Sequence, residues 1–337
     1  MARTLRFIPE GGALVEVTCR TVQGRYLFRP SPELNEIIRG VLGYAQGLYS
    51  VRICLITVLS SHFHLLLDID NAKQLSQFMH FVNSHLAKEV NRLTGWSGPV
   101  FAKRYTAILV SNEEDAQVER LRYGLANSVK EGLVERPQDW PGVHSVDCLL
   151  DDVPMTGRLF SRTQEYAARR RGEDYERYEY AIEVTVQLSP LPCWKHLSPE
   201  QRKTRIATLV RDIEAEAAAA REATGSEVLG VEAVMSKDPH HRPEKLDRSP
   251  APRFHTATRE AWFELREAYS HFLAAFRTAA DKLKAGDRAS PFPIGSFPPR
   301  TAVRGCLRSL RVPEIRGSRG EVCCNTSPYP VSLRLDF

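Results

Sequence analysis

Two apolar runs, residues 51–59 and 62–68, are separated only by Ser60-Ser61, and this spacing reads as a β-hairpin. Side chains alternate faces along a strand, so His62 and His64 project to one side while Phe63 enters the opposite layer. Around the hairpin the pattern is regular. Residues 13–21 are rich in β-branched side chains and read as a strand. Residues 32–49 carry Leu34, Ile37, Ile38, Val41, Leu42 and Ala45 at helical spacing, with Ser31 or Pro32 at the start. Asn71 can cap a second helix with the stripe Leu75, Phe78, Met79, Val82, Leu86, Val90 and Leu93, broken by residues 95–99. Residues 100–110 give a further strand, or a strand pair around Arg104-Tyr105. Residues 113–127 give a helix with acids in its first turn. The order β-α-β-β-α-β plus a helix predicts an α+β fold: a ferredoxin-like antiparallel sheet with packed helices and the histidine pair on a central strand.

The texture changes beyond residue 150. Residues 151–285 read as an all-α extension, and 286–337, rich in Pro, Gly, Ser and Arg, as a loosely ordered basic tail. Within the extension, Ser198-Pro199-Glu200-Gln201 is a capping box ahead of a helix bearing Ile206, Leu209, Val210 and Ile213. A short helix is expected over 227–235 and a linker over 238–252. A last amphipathic helix presents Trp262, Leu265, Tyr269, Phe272, Leu273 and Phe276.

A formal net charge of +5 is too small to name nucleic acid as the partner. The seven cysteines show no CxxC spacing, which argues for a reducing compartment and against a zinc site or disulfide framework. No stretch approaches a membrane span and no apolar leader follows Met1, so a cytoplasmic protein without membrane contact is expected.

His62 and His64 could together hold a divalent cation. Such an ion polarises a non-bridging phosphate oxygen. Tyr123 and Asn127 lie one helical turn apart, away from the Val118, Leu121 and Leu125 stripe, on a polar face with Glu119 and Arg120. A phenol in that position can attack phosphorus and keep it covalently bound, while an Asn amide oxygen is a third candidate ligand. The ion would be Mg²⁺ or Mn²⁺, the histidines making Mn²⁺ readily acceptable.

The chain resembles the HUH single-tyrosine transposases, in particular the REP-associated tyrosine transposases. The residues that carry this are Leu59-Ser60-Ser61-His62-Phe63-His64, the turn from Gly98 to Tyr105, the segment from Tyr123 to Val134, and Pro137-Gln138-Asp139-Trp140-Pro141. The resemblance covers roughly residues 5–150. It implies a catalytic domain over 1–150, metal ligands His62, His64 and Asn127, and Tyr123 as nucleophile. It further implies cleavage of single-stranded DNA beside a hairpin, leaving a 5′-phosphotyrosine and a free 3′-OH. The family often has Asn-Pro after the tyrosine, and this chain has Asn127-Ser128. A homodimer is one assembly found among such enzymes.

Lys103, Arg104, Arg120, Arg122 and Lys130 flank the site as candidate phosphate contacts. Tyr105, Phe101 and Trp140 are candidates for stacking on bases. His80, His85, His144 and His240-His241 lack ligand spacing and read as structural or surface residues. Two other functions share these features: a non-catalytic binder of hairpin DNA or RNA, and a relaxase-like replication initiator. A second catalytic tyrosine or a helicase segment would mark the latter, and neither is evident.

Overall fold

The computed structural model describes residues 5–244 and 251–297. Its first part runs β1 (Ala13–Arg20), α1 (Pro32–Tyr49), β2 (Arg52–Leu59), β3 (His62–Ile69), α2 (Ala72–Thr94), β4 (Thr106–Val110) and α3 (Glu114–Lys130). Local chemistry accounts for the helix limits. The Ser31 side chain accepts from Leu34 N with Pro32 in the first turn, and Asn71 accepts from Gln74 N. Gly95, at φ 67°, ends α2 in the left-handed region that glycine enters without penalty.

The sheet order is β2-β3-β1-β4-β7, where β7 is Phe254–His255. β3 pairs antiparallel with both β1 and β2, so the histidines stand on an interior strand. The first four strands give the expected split-βαβ arrangement. One face of the sheet packs against α1 and α2 through Val15, Val17, Phe63, Leu65, Leu67, Phe78 and Val82. The other face packs against α3 through Leu14, Leu55, Leu59, Leu66, Leu121 and Leu125.

The later part continues with α4 (Val146–Asp151), β5 (Met155–Phe160), α5 (Arg162–Arg171), β6 (Ala181–Val186), α6 (Pro199–Thr224), α7 (Val231–Ser236), β7 and α8 (Arg259–Lys284). The Ser198 capping box is formed, and Ile206, Val210 and Ile213 are the buried residues of α6. The segment 151–285 is not all-α, however. β5 and β6 form an antiparallel ladder against the outer side of α1, and β7 adds a parallel strand to the edge of the main sheet. Glycines permit the first contact: a Cβ on Gly40 would lie 2.1 Å from the Arg158 carbonyl carbon and oxygen. The expected linker over 238–252 is described in part, and the basic tail lies outside the described residues beyond 297. Before that point Phe292 is buried and packs edge-on against Phe276. Among the described residues, no helix is long and apolar enough to cross a membrane.

His144 is half-buried beside β2, where it pairs with Thr57, and its Nδ1 accepts from Val146 N at 3.1 Å. Burial pulls its pKa down to about 4. A histidine with a folded-state pKa below its unfolded value of about 6.5 binds fewer protons when folded, so stability falls as pH drops from there toward 4. Denaturant midpoints are therefore expected to decline between pH 7 and 5, less steeply in His144→Asn than in the wild type.

Candidate active site

The hairpin register builds the site. On β1, Thr18 lies opposite His64 and Arg20 opposite His62, so Glu16, Thr18 and Arg20 share the histidines' face. The Glu16 Oε1 lies 2.9 Å from His64 Nδ1, and Thr18 Oγ1 lies 3.2 Å from the same nitrogen. Burial alone would raise the Glu16 pKa, but the bond to His64 and the charge of Arg120 hold it below its ordinary value. An ionised carboxylate only accepts, so Nδ1 carries a proton towards Glu16 and Nε2 is left facing the opposite way. That Nε2 is buried and has no hydrogen-bond partner. His62 bonds Ser61 Oγ through Nδ1 at 3.0 Å. Burial, with the neighbouring His64 and Arg20 charges, depresses its pKa and keeps the imidazole neutral.

Helix α3 supplies the other half. The Tyr123 ring stands edge-on to His64 at 5.6 Å between centroids. Arg120 Cζ lies 4.7 Å from the Tyr123 ring centroid and Lys130 Nζ 5.2 Å from it. Burial raises the phenol's pKa and Glu16 adds to this, while Arg120 opposes it. Asn127 is 2% exposed, and its Nδ2 has no partner. Two contacts seat the helix between these residues. Thr57 Oγ1 donates to Gly124 O at 2.9 Å, and a Cβ on Gly124 would fall 1.9 Å from Leu55 Cδ2. Ser128, where the family often has proline, is fully buried inside α3, which runs on to Lys130.

These residues suit a divalent cation. His64 offers a partnerless nitrogen fixed by a carboxylate on its other side, the arrangement that orients metal-bound histidines. His62 is neutral, and the Asn127 amide presents either its nitrogen or its oxygen after rotation about its terminal bond. Among the described residues no group of three His, Cys, Asp or Glu is placed to hold a metal, and Asn127 is the candidate third ligand. Glu16 carries no ligand signature in the sequence, yet an acid amid Leu14-Val15 and Val17 on a buried strand marks the position as special. Glu16→Gln is expected to weaken Mn²⁺ binding about 10- to 100-fold. Isothermal titration with Mn²⁺ alone measures this, and unchanged affinity would detach Glu16 from the site.

The flanking candidates divide. Tyr105 is only 7% exposed, its hydroxyl bonds Leu75 O at 3.4 Å, and Arg6 covers its ring at 3.6 Å. It is a core residue and cannot stack on a base. Trp140 is likewise buried, donating from Nε1 to Val58 O at 2.8 Å, and Phe101 packs between Phe28 and Phe63. Arg120 bridges Glu16 and Glu119, and Arg122 pairs with Glu216 on α6. Lys103, Arg104 and Lys130 are exposed. Of the other histidines, His85 stacks on Phe81 at 4.0 Å and His240 bonds Thr94 O through Nε2 at 2.8 Å. One histidine from the extension does reach this face: His255, on β7, lies 3.2 Å from Glu119 Oε2. A two-residue strand leaves no periodicity from which to foresee it.

No protein-family model matches the chain, and no curated protein matches it. Among solved structures it is similar to a REP-associated tyrosine transposase bound to a REP hairpin, at 18% identity. That alignment covers 43% of this chain and 82% of the other, with a TM-score of 0.34. It is also similar to a candidate transposase from Deinococcus radiodurans R1 at 14% identity, over 36% of this chain and 95% of the other, TM-score 0.26. Similarity at this level leaves function to the residues themselves.

Proposed function

We propose that the protein is a metal-dependent single-stranded DNA endonuclease and transposase that cuts and rejoins DNA beside a hairpin through a 5′-phosphotyrosine. The observation that carries this reading is the Tyr123 ring standing against His64, whose outward nitrogen is buried without a partner. A Mg²⁺ or Mn²⁺ ion held by His62, His64 and Asn127 would supply Lewis acidity to a phosphate oxygen. The protein's own groups do the rest. Tyr123 Oη attacks phosphorus, the P–O3′ bond breaks, the phenolic proton departs and the 3′-oxygen leaves as a hydroxyl. Rejoining reverses these steps with a 3′-OH as nucleophile.

Glu16 fixes His64, and Arg120 binds Glu16 while lying over the phenol ring, so one carboxylate orients both halves of the site. With its pKa raised by burial, the Tyr123 phenol is protonated in the free protein. The test is incubation of the full chain with hairpin oligonucleotides and Mn²⁺, followed by a denaturing gel. A covalent adduct that chelator prevents supports the enzyme. Tight hairpin binding with no adduct would favour a non-catalytic binder.

A further inference from the structure

We infer that Arg20 is the residue that grips the scissile phosphate, an inference that rests on the reading of Tyr123 as nucleophile. Its position follows from register. Along β1 the residues Glu16, Thr18 and Arg20 alternate onto one face, and the first two touch His64 directly. Arg20 continues that row by one step and stands opposite His62 across the antiparallel pair. Its charge acts on both His62 and Tyr123, in keeping with that register.

Two neighbouring arginines are already engaged. Arg120 is held by Glu16 and Glu119, and Arg122 by Glu216. Arg20 is exposed and, among the described residues, forms no ion pair with a carboxylate. Its backbone is nonetheless fixed, since its carbonyl accepts from Ala102 N at 3.0 Å in the turn that carries Lys103. An anchored strand end with an uncommitted guanidinium suits bidentate contact with two non-bridging oxygens. Charge that builds on those oxygens as Tyr123 attacks would strengthen the contact.

The test uses the full chain as wild type, Arg20→Ala and Arg20→Lys, with a single-stranded hairpin oligonucleotide and Mn²⁺. Two quantities are read: the rate of adduct formation at saturating DNA, and the slope of log affinity against log salt concentration. Arg20→Ala is expected to slow the adduct step about 100-fold and to reduce the salt slope by about 0.7, the loss of one single-strand phosphate contact. Arg20→Lys should keep the slope and recover only part of the rate, because an ammonium cannot make the paired contact. Because Arg20 is exposed, thermal melting should not move. A wild-type rate and slope in Arg20→Ala would overturn the inference. If the wild type itself forms no adduct, the nuclease reading fails and the slope still decides: a reduced slope upholds phosphate contact by Arg20, an unchanged one refutes it.

Discussion

Tyr123→Phe is expected to abolish covalent capture of DNA, lowering adduct yield by about a thousandfold or more, while hairpin affinity stays within about twofold. Only the hydroxyl is lost. The aromatic ring that contacts His64 and lies under Arg120 remains, so the site keeps its shape and melting should be unchanged. Binding energy from phosphate contacts does not depend on the phenol, which is why affinity and chemistry should separate. A variant that still forms adduct at the wild-type rate would show that another group is the nucleophile.

Gly40→Ala is expected to cost about 3 kcal/mol of stability, the upper part of the range for overpacking a filled interior. Its new Cβ would meet the Arg158 carbonyl carbon and oxygen at 2.1 Å, and a Cβ added at Gly157 on β5 would in turn lie 2.3 Å from Glu36 O on α1. Backbone stands on both sides of this contact, so no side-chain rotation can relieve it, and α1 and β5 must separate. Gly47 sits on the same helix with nothing within 4 Å of the equivalent position. Gly47→Ala should therefore stabilise slightly through helix propensity alone. Denaturant midpoints of the two variants check this, and equal midpoints would refute the close packing of β5 on α1.

The first half of the fold was legible because several kinds of signal agreed. Ser31 and Asn71 cap helices whose apolar stripes face the sheet, and alternation in the hairpin places both histidines on one side. The same alternation, carried across to β1, could have exposed Glu16 and Arg20, since pairing with β3 puts both beside the histidines. What it could not give was the register itself, which depends on tertiary pairing.

The strands of the extension were hidden for physical reasons. β6 is mostly solvent-facing, so Ile182, Glu183 and Thr185 carry no burial pattern, and β5 is separated from it by a helix-bearing connection. Tyr105, a candidate for stacking on bases, follows the exposed Lys103-Arg104 pair, yet it is buried with its ring under Arg6. The polar stripe of α3 was visible, but its direction was not: Asn127 is buried and the half-buried Tyr123 stands against His64.

Peptide mass spectrometry of the full chain trapped on a hairpin oligonucleotide in Mn²⁺ tests the central claim most directly. The expected result is a single nucleotide-modified peptide with the modification on Tyr123, linked through a 5′-phosphate. Attachment at any other residue would contradict the arrangement of a phenol beside a two-histidine cation site.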